Sequence, residues 1–96
     1  MTITLRREAL DYYILSSLSV QDLSGAQILQ NTASYININH ADFYEALIEL
    51  ESRGMITRAR AQKGTLMNYS LYRITPLGKG CKKALERELN LRLARH

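Results

Sequence analysis

Several residue types that mark specialised chains are scarce in these 96 residues. There is one cysteine, one proline and five glycines, so we expect neither an internal disulfide framework nor a disordered, low-complexity chain. No apolar run approaches the roughly 20 residues that a membrane span needs. Arg6 and Arg7, followed by Glu8 and Asp11, interrupt the region where a signal peptide would have its apolar core. The sequence therefore predicts a soluble, cytoplasmic protein.

Residues for catalysis and metal binding are scarce as well. His40, His96 and Cys81 are the only histidines and cysteine, and they lack the spacing of metal ligands. No nucleophile elbow and no His-Glu-x-x-His motif is present, and the segment 78–80, Gly-Lys-Gly, lacks the spacing of a phosphate-binding loop. We expect no enzymatic activity, no metal and no other cofactor.

Charge is present but unevenly distributed. Residues 1–52 carry two arginines against seven acidic residues, a net charge of −5, whereas residues 53–96 carry eleven basic residues against two glutamates, a net charge of +9. The basic half predicts a positive potential that attracts phosphate backbones or acidic partners. A solvated basic helix is the plainer interpretation. A chain of this length, 46% hydrophobic, is expected to form one domain spanning residues 1–96.

Apolar periodicity predicts helices in the first half. From Leu5 to Leu18, apolar residues recur at steps of three and four, which is typical of one helical face. Ser24 stands where it can cap a short second helix. A polar turn over residues 31–39 precedes a third helix that begins at Asn39 or His40. The buried stripe of that helix is expected to contain Tyr44, Leu47, Leu50 and, in part, Ile48.

The second half reads as a hairpin and a closing helix. Gly54 stands where a helix often ends in a left-handed residue. Two extended segments follow, Met55–Ala61 and Leu66–Ile74, and Thr75 can then cap a last helix over residues 76–96. This order predicts a mainly α fold with a small β-hairpin, in the α+β class. It is the layout of a winged helix-turn-helix, with a core over residues 1–75 and an added C-terminal dimerisation helix.

Two segments carry a resemblance to a known family. Phe43–Ile56 contains the run Tyr-x-x-Leu-x-x-Leu-x-x-x-Gly-Met-Ile, and Tyr72–Gly78 reads Tyr-Arg-Ile-Thr-Pro-Leu-Gly. Together they resemble the signature of PadR-type transcriptional regulators, although MarR-like winged helices share part of the first run. The resemblance implies a homodimeric repressor that binds double-stranded DNA with its third helix in the major groove and its wing on phosphates or the minor groove.

Candidate DNA-contacting side chains lie at the start of the third helix and on the wing. Asparagine pairs with adenine edges, His40 can donate to guanine or phosphate, and Asp42 or Glu45 can accept from cytosine. Asn39 as a simple helix cap is an equal alternative. On the hairpin, Arg58 and Arg60 are expected to project and to share a face. The candidate DNA-binding residues are Asn37, Asn39, His40, Asp42, Glu45, Arg58, Arg60, Lys63 and Arg73.

The last helix carries an apolar stripe longer than a small core can cover. This favours a homodimer, whereas folding of the stripe onto its own core is the alternative. The candidate dimerisation residues are Leu5, Leu10, Tyr13, Cys81, Leu85, Leu89 and Leu93. The resemblance further implies a small aromatic effector bound between dimer halves, where Tyr12, Tyr13 and Tyr69 would line the site. Ordinary packing is the commoner role of tyrosines at helical steps.

The third helix is more acidic than the resemblance implies. Four acidic side chains are expected to face outward, where phosphates would repel each of them by about 1 kcal/mol at close range. A competing hypothesis is therefore a winged-helix interaction module, such as a phage or plasmid accessory regulator, whose acidic helix binds a basic protein surface. The four residues are Asp42, Glu45, Glu49 and Glu51.

Overall fold

The computed structural model describes residues 2–60 and 70–94, with side chains described for residues 7–59 and 70–90. Four helices surround a small antiparallel sheet, which confirms the predicted mainly α class. The elements in chain order are α1 (Thr2–Leu18), β1 (Leu23–Ser24), α2 (Gly25–Ala33), α3 (His40–Ser52), β2 (Ile56–Arg60), β3 (Leu71–Ile74) and α4 (Pro76–Ala94).

Polar side chains begin three of the helices where the sequence predicts them. At α2, the Ser24 hydroxyl accepts from the Gln27 backbone N–H at 3.2 Å, and the Gln27 side chain accepts from the Ser24 N–H at 2.9 Å, which is a capping box. The side-chain oxygen of Asn39, Oδ1, accepts from the Asp42 N–H at 2.8 Å at the start of α3. The Thr75 hydroxyl accepts from the Gly78 N–H at 3.0 Å at the start of α4. Each cap satisfies a backbone donor that lacks a partner within its helix.

The sheet has the strand order β1-β3-β2 with antiparallel pairing. Strand β1 has two residues, too few for an alternating pattern, and the sequence did not predict it. The register of β2 against β3 shifts between Arg58 and Arg60. This irregularity interrupts the alternation of side chains, so alternation no longer places the two arginines on one face. The predicted wing turn, with Lys63 and the first part of its second strand, lies outside the described residues.

The core lies between α1, α2, α3 and the sheet. Its side chains are Leu10, Ile14, Leu15, Leu18, Leu23, Ile28, Phe43, Ala46, Leu47, Leu50, Ile56, Tyr72 and Ile74. In α3 the buried stripe thus includes Phe43 and Ala46, while Tyr44 is half-buried and Ile48 is 54% exposed. Leu47 and Leu50 are buried as expected, whereas Ile48, the additional candidate for the stripe, lies outside it. The predicted stripe and the observed stripe both fit helical spacing, so only packing against the other elements decides which residues of α3 are buried.

Two glycines fix the ends of neighbouring elements. Gly54 ends α3 with a φ of +78°, the left-handed conformation predicted for it, which glycine adopts without steric cost. Gly78 lies against Met55, the residue before β2, so closely that a Cβ at this position would collide with the Met55 backbone oxygen. The start of α4 is therefore packed closely against the chain that leads into the wing.

The apolar stripe of α4 is only partly available for a second copy of the chain. Cys81 and Leu85 pack against the core of their own chain, and Leu89 is half-buried. Leu77 is 57% exposed, whereas the side chain of Leu93 lies outside the described ones. The part of the stripe at Cys81 and Leu85 therefore folds onto its own core. Within the described residues no helix is both long and apolar enough to cross a membrane.

Candidate nucleic-acid interface

Helix α3 presents one open line of side chains to solvent. Ala41, Glu45, Ile48 and Ser52 are all exposed, and their steps of three and four place them in one row along the helix. The row lies opposite the buried stripe, so the same packing that fixes the stripe also fixes which residues face outward. This outer row is the part of α3 that a groove of DNA could receive.

The predicted contact residues at the start of α3 are also exposed, and two of them bind each other. Asn37, Asn39, His40 and Asp42 are all exposed. The Asn39 amide donates to the Asp42 carboxylate at 3.0 Å in addition to the capping bond that Asn39 accepts, so Asn39 does cap α3. The His40 ring lies edge-on to Tyr44, with 6.5 Å between ring centroids. Base reading by these residues stays a prediction.

On one flank of α3, arginines engage the acidic residues. Arg7 of α1 approaches three carboxylates, with Nη2 to Glu49 Oε2 at 2.6 Å, Nη1 to Glu45 Oε1 at 3.7 Å and Nε to Asp11 Oδ1 at 3.4 Å. Arg53 reaches the other Glu49 oxygen at 2.7 Å. We call Arg7, Asp11, Glu45, Glu49 and Arg53 the Arg7 cluster. Glu49 therefore has two arginine partners that the sequence did not predict, and its side chain is 40% exposed.

Asp11 of the Arg7 cluster and the nearby Cys81 both have raised pKa values. Burial raises the pKa of Asp11 to about 6, against the opposing effect of the neighbouring Arg7. Burial also raises the pKa of the nearby Cys81 thiol, and ionised Asp11 adds to the rise. A thiol that stays protonated is a poor nucleophile. This agrees with the interpretation of Cys81 as a packing residue.

The other flank of α3 faces the sheet, where Arg58, one of the two predicted wing arginines, is also paired. Its Nε donates to Glu51 at 3.2 Å, and its guanidinium lies 5.7 Å from the centroid of the Tyr72 ring. The prediction that Arg58 projects from the hairpin was thus wrong, and Glu51 has a partner that the sequence did not predict. The side chain of Arg60 lies outside the described ones, as does Lys63.

Arg73 is exposed but forms a two-point ion pair with Asp22. Its Nε lies 3.2 and 3.1 Å from the two carboxylate oxygens, and its Nη2 lies 2.7 Å from Oδ2. The hydrogen bonds from Arg73 lower the pKa of Asp22. The Arg73 side chain remains 60% exposed. It therefore lies at the surface while already bound to a carboxylate.

Sequence reasoning missed Arg7 as a partner of α3. The Arg7–Glu49 hydrogen bond joins residues 42 positions apart, and no periodic pattern connects them. The only signal was a coarse one, a basic pair in an otherwise acidic half of the chain. The packing of α1 against α3 is what turns that pair into a specific contact.

A cleft of about 560 Å³ opens between α1 and α2, away from α3. Tyr13 stacks on Tyr35 with 5.0 Å between centroids, and Tyr12 meets Tyr13 edge-on at 5.5 Å. Tyr12 and Tyr13 therefore line a cleft within one chain, and Tyr69 lies outside the described residues. Among the described side chains, no group of His, Cys, Asp and Glu is arranged to hold a metal ion.

The helices, the sheet and the exposed row of α3 define a winged-helix protein of the DNA-binding type. The chain belongs to the PadR-like family of transcriptional regulators, whose model matches residues 14–84. Regulators of this family are generally DNA-binding proteins without enzymatic activity. The resemblance seen in the sequence is thereby confirmed.

Solved structures support the same assignment. A transcriptional regulator from Clostridium thermocellum is similar, with a TM-score of 0.79 and 27% identity over 95% of this chain and 89% of that one. A PadR family transcription regulator from Clostridium difficile has a TM-score of 0.70 and 21% identity over 85% and 88%. The circadian clock associated protein Pex from Anabaena shares the fold, with a TM-score of 0.66 and 20% identity over 92% and 80%. No curated protein matches the sequence.

Proposed function

We propose that this chain is a sequence-specific regulator of transcription, a homodimeric repressor that places α3 in the major groove of double-stranded DNA. The observation that supports this most is the pairing of acidic residues on α3. Glu45 and Glu49 lie beside Arg7, and Glu51 lies beside Arg58. The acidity that argued against DNA binding is thus largely compensated within the same chain.

The repulsion between a carboxylate of α3 and a DNA phosphate depends on whether a cation lies close to that carboxylate. An unpaired carboxylate near a phosphate costs on the order of 1 kcal/mol at surface dielectric. A carboxylate with a guanidinium a few ångströms away presents a dipole to the phosphate instead of a full charge, and its repulsion falls off faster with distance. Asp42 is the remaining acid, and its hydrogen bond from the neutral Asn39 amide at 3.0 Å leaves its charge in place. DNA approaching the outer row would therefore meet less repulsion than four unpaired carboxylates produce.

Phosphate contacts would come from the sheet and the wing. Arg73 is exposed at the edge of its ion pair with Asp22, and such an exposed pair can exchange its carboxylate for a phosphate at small cost. Arg60 and Lys63 are proposed to hold phosphates or to enter a narrow minor groove. These contacts carry no sequence information, and they would fix the register of α3.

Dimerisation is proposed through α1 and the second half of α4. The two helices pack against each other within the chain, and half-buried Leu89, with the predicted residues Leu5 and Leu93, would meet a second copy. Tyr13, Cys81 and Leu85 keep part of their surface exposed, whereas Leu10 is 3% exposed and contributes chiefly to its own core. A two-fold dimer matches a pseudo-palindromic operator with half-sites about one helical turn apart or more.

The test is binding of the purified protein to fluorescent DNA duplexes of mixed and genomic sequence, measured by anisotropy over a salt series. We expect affinity to fall steeply with salt, since cations are released from the contacted phosphates, and selected duplexes to stay bound at high salt. Sedimentation at micromolar concentration is expected to give a dimer. Absence of binding even at low salt would contradict the proposal and favour a protein partner for the acidic residues of α3.

A further inference from the structure

An isoleucine occupies the middle of the outer row of α3. Ile48 is 54% exposed, and the other large exposed hydrophobic residues among the described side chains, Val20, Tyr35 and Leu77, lie on other elements. In the outer row, Ile48 is joined by the exposed methyl group of Ala41. The row that faces outward from the reading helix is therefore half apolar, and an exposed isoleucine at this point needs a partner of matching chemistry.

One neighbouring charge is drawn away from this apolar part. Glu49 is held by its 2.6 Å bond to Arg7 on α1, and Arg53 holds the second Glu49 oxygen at 2.7 Å. Glu45 stays in the outer row, with its side chain 72% exposed and Arg7 at 3.7 Å. Ile48 is thus the projecting apolar side chain near the centre of the row, with the Glu49 carboxylate held at its side by two arginines.

The major groove offers one apolar group to such a side chain. Thymine presents its C5-methyl there, whereas guanine, adenine and cytosine present donors and acceptors that isoleucine cannot satisfy. Placing an aliphatic group over a cytosine amino group or a guanine oxygen would remove water without replacing its hydrogen bond. An A·T pair is therefore the base pair that Ile48 tolerates and favours.

We propose that Ile48, assisted by Ala41, reads thymine C5-methyl groups, so that each half-site carries A·T pairs beneath the middle of α3. This inference rests on the proposed function and deepens it, because it names the base chemistry that α3 selects. Ile48 is then a specificity-determining residue that makes no hydrogen bond to a base.

The experiment removes methyl groups from the DNA instead of side chains from the protein. A random duplex library is enriched on the protein, and each thymine of the best-bound duplex is then replaced singly by deoxyuridine, which lacks only the C5-methyl. We expect replacement at one or two positions of a half-site to lower affinity about four-fold, the worth of one buried methyl or methylene group. Replacement at the remaining thymines is expected to leave affinity unchanged.

Protein variants identify the side chain responsible. Ile48→Ser is expected to lose about four-fold in affinity for the thymine duplex and to become insensitive to deoxyuridine at the same positions, while Ile48→Val retains that sensitivity. Val20→Ser is the matched control, because Val20 is an exposed aliphatic residue that lies in the turn after α1 and not on α3; it is expected to behave as wild type. Circular dichroism confirms that each variant is folded.

The outcomes separate this inference from the function beneath it. Enrichment of a duplex whose binding is indifferent to every deoxyuridine would overturn the thymine assignment while leaving sequence-specific binding intact. Equal sensitivity in wild type and Ile48→Ser would overturn the role of Ile48. Enrichment of no duplex at all would overturn both the thymine inference and the proposed sequence-specific DNA binding. It is the only one of these outcomes that contradicts the proposed function.

Discussion

Two arginines of this chain, Arg7 and Arg73, form ion pairs of different kinds. Arg7 of α1 is 31% exposed and approaches three carboxylates from two helices. Arg73 of β3 is 60% exposed and meets the single carboxylate of Asp22. Arg7 is shared among the acids around it, whereas Arg73 has an exposed face that a phosphate can approach. An arginine near a proposed DNA-binding surface is therefore no evidence of a DNA contact until its partners are known.

The difference is one of burial and number of partners. Arg7 lies between the largely buried Asp11 and the half-buried Glu49, and removing its guanidinium leaves both carboxylates with less compensation, which makes its loss costly. An exposed pair gives little stability, because water and salt compete for both groups. We therefore expect substitutions in the Arg7 cluster to change stability, and substitutions at Arg73 and its partner to change DNA affinity.

The largest effect is expected for Arg7→Ala. The change leaves Glu49, Glu45 and Asp11 without their shared cation, so the free energy of unfolding should fall by about 1.5 to 3 kcal/mol, the range for hydrogen bonds to charged groups. Urea denaturation at pH 7 measures it. Arg87→Ala, at an exposed position of α4, is the matched control, with an expected change within about 0.5 kcal/mol. Equal losses in the two variants would remove the distinction between a shared and an ordinary arginine.

Local signals in the sequence predicted the elements well, because caps and turns depend on neighbouring residues. Ser24, Asn39 and Thr75 cap the helices expected of them, and Gly54 adopts its left-handed conformation. The two-residue strand β1 was missed, since it exists only through pairing with β3. The rotational setting of α3 was also missed, because Phe43 and Ile48 lie on different faces that helical spacing alone allows equally.

The candidate site was harder to predict than the fold. Exposure of Asn37, His40 and Asp42 follows from a short polar segment and was expected. The partners of Glu49, Glu51 and Arg58 depend on contacts between distant elements, so the sequence suggested free charges where the structure has ion pairs. The number of charged residues in a sequence segment is therefore a poor guide to the charge of a binding surface, because ion pairs between distant elements compensate some of those charges.

A second effect, smaller than that of Arg7→Ala, is expected from the carboxylate that Arg7 does not fully compensate. Asp11 has a pKa of about 6 in the folded chain and an ordinary value of 3.8, so the folded state retains a proton that the unfolded chain releases between these values. This tighter proton binding by Asp11 stabilises the folded state fully below pH 3.8, and the stabilisation is lost as pH rises through 6. At pH 7 the buried charge is a cost that Asp11→Asn removes.

Denaturation of wild type and Asp11→Asn at several pH values tests this. The difference in unfolding free energy is expected to be small near pH 4 and to favour the variant by about 2 kcal/mol at pH 7. Subtracting the unfolding free energy of wild type from that of the variant at each pH removes the contributions of the titratable groups that both proteins contain. A difference that stays constant with pH would show that Asp11 titrates normally, and that Arg7 compensates it as completely as Arg73 compensates Asp22.

The smallest effect on stability, and a gain in DNA binding, is expected for Asp22→Asn. The exposed pair contributes little to folding, so thermal unfolding should scarcely change. Arg73 loses its competing carboxylate and becomes available to phosphate, so affinity for DNA at low salt should rise about three-fold and the salt dependence should steepen by about one contact per subunit. The double variant Asp22→Asn with Arg73→Ala should show no gain. If the double variant gains as much as the single one, the increase comes from removing a negative charge near DNA, and Arg73 would then be a structural arginine like Arg7.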